Sequence, residues 1–380
     1  MLGQFSVFGF QFSVVEKYGH DSPHVNHAAQ SLTRVLVNKT TIRLKTENSK
    51  LKTMLSTAVI GTGSLGSQHA RIHAALAAEG RSRFVAACDI NEETARAVAD
   101  ERAVKAASDW RTLIGKVDAV SLAVPTEAHA SVAVPLLEAG VHVLVEKPIS
   151  RTLAEADEMI AAARRGGATL MVGHLERFNP ALVALRPHVR SPVYFEIHRV
   201  GEFTARSLDI DVVLDLMIHD LDIVQWLVGS DVEVIDVRAV GIPVLTNLVD
   251  AANARVEFAS GAVANITASR VGMEKIRKMR FFQPHDYVAV DYVTRYAAIS
   301  SLDPFGAHGR PGVAHRRLEV EDVEPLRAEI ESFLRAAETR AAPPIGGDDG
   351  RRALALALRA LDSIHEHDAR TGINALNHRA

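Results

Sequence analysis

A single cysteine, Cys88, is all the chain has for thiol chemistry, so no internal disulfide can form. That fits a reducing compartment, and a cytoplasmic location is the expectation. Long apolar runs are missing too. None approaches the roughly 20 residues that a membrane-spanning helix needs, so no membrane partner is expected. Neither sign of charge dominates: 43 Lys and Arg stand against 46 Asp and Glu, a formal net charge of -3. Nothing in that balance points to a nucleic-acid partner. Residues 1–53 show neither a basic start followed by an apolar core and a small-residue cleavage site nor a twin-arginine pair, so no secretory signal is expected. What the chain does have is length. Its 380 residues, 47% hydrophobic, are enough for two domains with separate cores.

Residues 1–53 read differently from the rest. They carry scattered aromatics and histidines and end in a basic, polar stretch from Lys39 to Lys52. The expectation is a disordered extension or a misassigned start, with the compact fold beginning at Met54.

Leu55 to Ile60 reads as a buried parallel strand, and Gln68 to Ala78 as a helix. Between them lies Gly61-Thr62-Gly63-Ser64-Leu65-Gly66, a G-x-G-x-x-G turn in the context that makes the motif informative. Gly61 allows the tight turn, Gly63 lets a pyrophosphate approach the backbone, and Gly66 permits close helix–strand packing. The helix N-terminus offers free N–H groups to the anion. The next strand, Phe84 to Cys88, ends at Asp89. A carboxylate there accepts hydrogen bonds from ribose hydroxyls and repels a 2′-phosphate, which favours NAD; the alternative is an Asp that caps the following helix. Further strands at Val117 to Val124 and Val141 to Val145, with a helix from Thr126 to Ala139, predict a doubly wound parallel sheet over residues 54–173. Ligands lie beyond the carboxyl ends of such strands. Pro125, Thr126 and His129 follow one of these ends, and Glu146, Lys147 and Pro148 follow another.

Lys147 is either a charged group beside the nicotinamide or a surface lysine at a turn. Further on, Asp211 to Asp222 has helical apolar spacing, with Asp215, His219 and Asp222 on one predicted face. A histidine there can take the proton that an alcohol loses during hydride transfer, with Asp215 orienting its ring. The alternatives are a structural histidine or a metal ligand. No Cys or His cluster stands at zinc spacing, so no metal is expected.

These residues together resemble the glucose–fructose oxidoreductase / inositol dehydrogenase / rhizopine catabolism family (Gfo/Idh/MocA), from Met54 to about Gly372. The motifs that carry the resemblance are the glycine turn, Pro125-Thr126 to His129, Val145-Glu146-Lys147-Pro148 and Asp215-x-x-x-His219. The resemblance implies that Lys147, Asp215 and His219 are catalytic. It also implies an α/β C-terminal domain whose large, mostly antiparallel sheet builds a homo-oligomer through its open face. Many members carry Tyr-Asn before Arg-Phe at the domain junction. Here the segment is His174-Leu175-Glu176-Arg177-Phe178-Asn179, which, with Arg206-Ser207, looks like the subgroup that oxidises nucleotide sugars. That implies His174, Arg177, Asn179 and Arg206 as substrate contacts, and a substrate such as UDP-N-acetylglucosamine oxidised at position 3. It also implies an aminotransferase as downstream partner. The alternatives are a free sugar or inositol dehydrogenase, and a non-catalytic NAD-binding regulator.

Read on its own terms, the second domain (174–345) offers strands at Pro192 to Val200, Val234 to Val240, Ala252 to Phe258, Ala262 to Ser269 and Arg280 to Phe282, with a turn at Ser260-Gly261. Arg270, Lys275, Arg277, Lys278 and Arg280 are either a basic rim for a diphosphate or, for most of them, a solvated loop. Glu324 to Ala337 and Asp349 to His365 read as helices, the second packing back on the body from residues 346–380.

Overall fold

The computed structural model describes residues 3–7, 10–14, 54–203, 210–305 and 310–372. Two units separate, Met1–Thr53 and Met54–Ala380. In the first, β1 (Gly3–Val7) and β2 (Phe10–Val14) pair antiparallel, with Phe5 opposite Phe12. The expectation of a disordered extension included no such pairing. The rest of the expected disordered stretch lies outside the described residues.

The second unit opens with alternating strands and helices: β3 (Ser56–Ile60), α1 (Ser64–Ala78), β4 (Arg83–Cys88), α2 (Glu92–Arg102), β5 (Lys105–Ala107), β6 (Ala119–Leu122), α3 (His129–Glu138), β7 (His142–Glu146), α4 (Leu153–Gly166) and β8 (Leu170–Gly173). The six strands form one sheet in the order β5-β4-β3-β6-β7-β8, and every pair is parallel. Side chains alternate across it. Val59 packs with α1 and α2, while Ala58 and Ile60 pack with α3 and α4. The strand order reverses between β3 and β6, which sets a crevice at their carboxyl ends.

The chain continues through α5 (Pro180–Leu185), β9 (Tyr194–Glu202), a π-helical turn (Val213–Met217), α6 (Ile218–Val228) and seven strands. These are β10 (Val234–Ile242), β11 (Ala251–Phe258), β12 (Val263–Gly272), β13 (Ile276–Gln283), β14 (Asp286–Asp291), β15 (Tyr296–Asp303) and β16 (Gly312–Arg317). With β9 they make an eight-stranded sheet, order β10-β11-β12-β9-β13-β14-β15-β16. It is antiparallel except where β12 meets β9. The Ser260-Gly261 turn forms as expected: Gly261 sits at φ +84 and donates to the Phe258 carbonyl at 2.8 Å. One face of the sheet buries Phe195, Ile266 and Phe281 against α5, α6 and α8 (Gly347–Thr371).

Three features depart from the sequence expectations. The strand expected from Arg280 begins earlier, at Ile276, so Arg277 and Lys278 lie within β13 rather than in a loop. Helix α7 (Pro325–Thr339), expected in the second domain, packs its apolar face on the first sheet, where Ile330 and Phe333 meet Ile72, Leu76 and Leu144. The Asp211 to Asp222 segment is not one α-helix. Its π turn closes with the Ile218 N–H donating to Val213 O, and α6 begins only there. Helix α8 packs against α4, α6 and β10. A Cβ on Gly347 would lie 2.6 Å from Ile160, and one on Gly350 would lie 2.7 Å from Val172. These two glycines let its first turn seat tightly on α4 and β8.

Candidate active site

The glycine turn crosses the crevice as its spacing predicts. Gly61 has φ +85, and a Cβ there would lie 2.5 Å from the Ala123 carbonyl of the loop after β6. A Cβ on Gly66 would lie 1.7 Å from the Gly61 carbonyl, so α1 can approach β3 only without one. Gly63 is different: nothing lies within 4 Å of its Cβ position. With Ser64 and Leu65 it is exposed at the start of α1, where free N–H groups and the helix dipole favour an anion.

Asp89 ties the turn to β4. Its Oδ2 accepts from Thr62 N at 2.7 Å and from Thr62 Oγ1 at 3.2 Å, and its Oδ1 accepts from Asn91 N at 2.9 Å. The cap of α2 is Asn91, which accepts from Glu93 N and Thr94 N. Asp89 is therefore not the helix cap, and its carboxylate stands beside the turn.

A cleft of about 750 Å³ opens here, lined by Leu65, Pro125, Thr126, Lys147, Leu214 and Asp215 among others. Lys147 follows β7 and precedes a cis peptide to Pro148. Its Nζ donates to the Asp215 carbonyl at 2.6 Å and pairs with the Asp215 carboxylate at 3.2 Å. This corrects the expected Asp215–His219 partnership. The wide π turn shifts Asp215 out of α-helical phase and toward Lys147.

His219 is half-buried at the start of α6, and its Nδ1 is sealed and unpartnered among the described residues. Burial and the Lys147 charge push its pKa well below the usual histidine value. The ring is thus held neutral, which leaves it able to accept a proton. His174 is buried beside it with neither ring nitrogen partnered among the described residues. Burial lowers its pKa as well, against the pull of Asp222, whose carboxylate is 3.9 Å away.

Other expected contacts are committed elsewhere. Arg177 is buried and pairs with both oxygens of Asp222, at 2.8 and 2.6 Å, and with Asp349 at 3.4 Å. Asn179 caps α5 and donates to Glu176 Oε2 at 3.2 Å and Tyr292 O at 3.3 Å. Both side chains are held in these networks, and Asp222 pairs with Arg177. His129 lines the cleft but clamps two loops. Its Nδ1 lies 3.0 Å from Pro148 O and its Nε2 lies 3.0 Å from Val124 O. Glu146 turns its carboxylate to His69 at 2.9 Å and to Lys147 N at 3.3 Å. It also lines the cleft beside Lys147. Arg206 lies outside the described residues. Ser150 and Arg151 also line the cleft; neither was expected there, although their place just after Glu146-Lys147-Pro148-Ile149 is a signal for them. Among the described residues, no three His, Cys, Asp or Glu side chains gather to hold a metal ion, and no helix is long and apolar enough to cross a membrane.

Comparison with known proteins gives this geometry a class. Residues 55–174 match the model described as "Oxidoreductase family, NAD-binding Rossmann fold", and residues 154–281 match the "GFO/IDH/MocA C-terminal domain". The chain therefore belongs to the Gfo/Idh/MocA family and is an NAD-dependent oxidoreductase acting on CH–OH groups. It is 40% identical over 306 residues to UDP-N-acetylglucosamine 3-dehydrogenase of Acidithiobacillus ferrooxidans, covering 80% of this chain and 96% of the relative. A solved structure of that dehydrogenase superposes with a TM-score of 0.76 at 38% identity, covering 82% of this chain and 98% of the other. Myo-inositol 2-dehydrogenase of Thermotoga maritima is 27% identical, covering 81% of this chain and 96% of the relative. Levoglucosan dehydrogenase in complex with NADH shares the fold, with a TM-score of 0.73 at 19% identity over 82% of this chain and 97% of the other.

NAD fits the residues present. The open space above Gly63 is a cradle that any side chain would fill, and the Thr62 to Leu65 backbone and Asp89 would hold the pyrophosphate and ribose.

Proposed function

We propose that this enzyme oxidises the 3-hydroxyl of a nucleotide sugar, UDP-N-acetylglucosamine, to a ketone. The observation that carries the chemistry is the Lys147–Asp215 pair at the cleft, with a neutral His219 in its field. The substrate rests on 40% identity over nearly the whole length of a dehydrogenase with that activity.

NAD, when bound, accepts the hydride from the carbinol carbon. The protein's own groups handle the proton. Asp215 fixes the Lys147 ammonium, which donates a hydrogen bond to the substrate oxygen and stabilises the negative charge that develops there. His219, kept neutral by burial and by Lys147, takes the hydroxyl proton. Glu146, itself held by His69, accepts from the Lys147 main-chain N–H. NADH formation on mixing with UDP-N-acetylglucosamine, but not with free N-acetylglucosamine or myo-inositol, is the expected assay result. Turnover of the polyol alone would move the enzyme to the inositol dehydrogenases.

The reading extends to a cytoplasmic homo-oligomer that passes its ketone to an aminotransferase. The open sheet face supports the oligomer: Tyr194, Phe282 and Tyr287 form an aromatic row with ring centroids 6.0 and 5.2 Å apart. Phe282 is exposed on it, and light scattering reads the subunit number.

A further inference from the structure

The basic run after Gly272 splits by strand alternation. Lys278 and Arg280 are exposed, while Met279 and Phe281, which alternate with them, are fully buried. Arg277 is in phase with the buried pair and lies one residue into β13. Directly opposite it on β9 is Arg199.

The two arginines are compensated very differently. Arg199 is buried, with Asp220 on its Nε and on a terminal nitrogen at 2.6 and 2.9 Å, and Glu176 at 2.8 Å. Arg277 has one carboxylate partner among the described residues, the same Glu176, at 3.7 Å. That is beyond hydrogen-bond reach. The side chain is 35% exposed, and it faces a like charge across the ladder. Burial and Arg199 both work against its charge, while Glu176, Asp220 and Asp215 support it. Arg277 is also among the charges that depress His219. It therefore stands in the same electrostatic neighbourhood as the Lys147-bound Asp215 and the proton acceptor. A guanidinium offers five donors in a planar fork that matches phosphoryl oxygens. Here that fork is half-open and loosely held.

We propose that Arg277 is a substrate-anchoring residue that hydrogen-bonds the phosphoryl oxygens of the nucleotide sugar and so presents the sugar ring to Lys147 and His219. This rests on the nucleotide-sugar reading above. It assigns to one residue the diphosphate contact that the sequence left spread over a whole basic run.

The test uses the NAD-loaded protein and the variants Arg277→Met and Arg277→Lys. Steady-state kinetics with UDP-N-acetylglucosamine are paired with calorimetric binding of UDP alone. Losing a charge-assisted hydrogen bond corresponds to about 10- to 100-fold in affinity. Arg277→Met is expected to raise KM and the UDP dissociation constant by that factor, with kcat changed by less than about threefold. Arg277→Lys recovers part of the loss, because a point charge replaces the fork. Melting temperature and NAD affinity stay at wild-type values in Arg277→Lys, which keeps the test valid if the methionine variant folds poorly. Wild-type KM and UDP affinity in both variants overturn the proposal and leave the nucleotide-sugar substrate standing. Absence of both turnover and UDP binding in the wild-type protein overturns the substrate reading and this proposal with it.

Discussion

Lys147 Nζ lies 2.6 Å from the carbonyl oxygen of Asp215 and 3.2 Å from its carboxylate. One side chain thus ties the end of a parallel strand in the first sheet to the π turn that precedes α6. Two roles follow from the two contacts. The carbonyl contact aims the ammonium, and the carboxylate balances its charge in a partly desolvated site. Lys147→Met is expected to lower kcat by about 100- to 1,000-fold, the usual contribution of a preorganised donor to a developing negative charge. Asp215→Asn keeps the carbonyl contact and loses only the charge, so its loss is smaller. Both should bind NAD normally in a fluorescence titration. Equal losses in the two variants would mean that the charge, and not the aim, is what matters.

The three glycines of the turn separate folding from binding. Gly66→Ala puts a Cβ against the Gly61 carbonyl, where 1.7 Å is available, so it should destabilise the domain by more than about 2 kcal/mol. Gly63→Val meets open space, so the melting temperature without cofactor stays within the range of a surface change, about 0.5 kcal/mol. Its NAD dissociation constant rises at least about tenfold, because the new side chain fills the pyrophosphate cradle. Differential scanning fluorimetry with and without NAD reads both. Unchanged NAD affinity in Gly63→Val would remove the pyrophosphate from this turn.

Glu329, on the apolar face of α7, is 0% exposed and neither carboxyl oxygen has a partner among the described residues. Burial, then the charge of Glu146, pushes its pKa well above the ordinary glutamate value. In the unfolded chain it releases its proton near pH ~4.3. Above that pH the folded state binds more protons than the unfolded state, so stability falls as pH rises toward the folded pKa. Glu329→Gln abolishes that dependence. Its denaturation free energy should gain on the wild type by up to about 1.4 kcal/mol per pH unit within the window. Parallel curves for the two proteins would show that Glu329 titrates in its ordinary range.

Much of this site is legible in the sequence because its determinants are local. The glycine turn, Asp89 and Glu146-Lys147-Pro148 each need only a strand end and a few residues of spacing. The partner of Asp215 was not legible, because a π turn breaks the 3.6-residue phase from which a shared face with His219 was inferred. The buried partners of Arg177 and Asn179 are not legible for another reason. Those partners, Asp222, Asp349 and Tyr292, are distant in the chain, and a polar residue committed to a buried network looks the same in sequence as one facing a ligand. Helix α7 shows the limit for packing: its amphipathic pattern predicts a buried face but not which sheet buries it. The strand β16 is exposed or half-exposed at every position, so it carries no alternation to read.

The central claim is tested most directly by following one hydrogen. UDP-N-acetylglucosamine deuterated at carbon 3 is mixed with the enzyme and NAD, and the reduced cofactor is recovered for mass spectrometry. The account predicts that the deuterium appears in the reduced cofactor, with a 3-keto sugar formed in equal amount. It also predicts that Lys147→Met and His219→Ala slow this transfer strongly while NAD binding persists. Reduced cofactor without deuterium, or no reduction with this substrate alongside turnover of a free polyol, would contradict it.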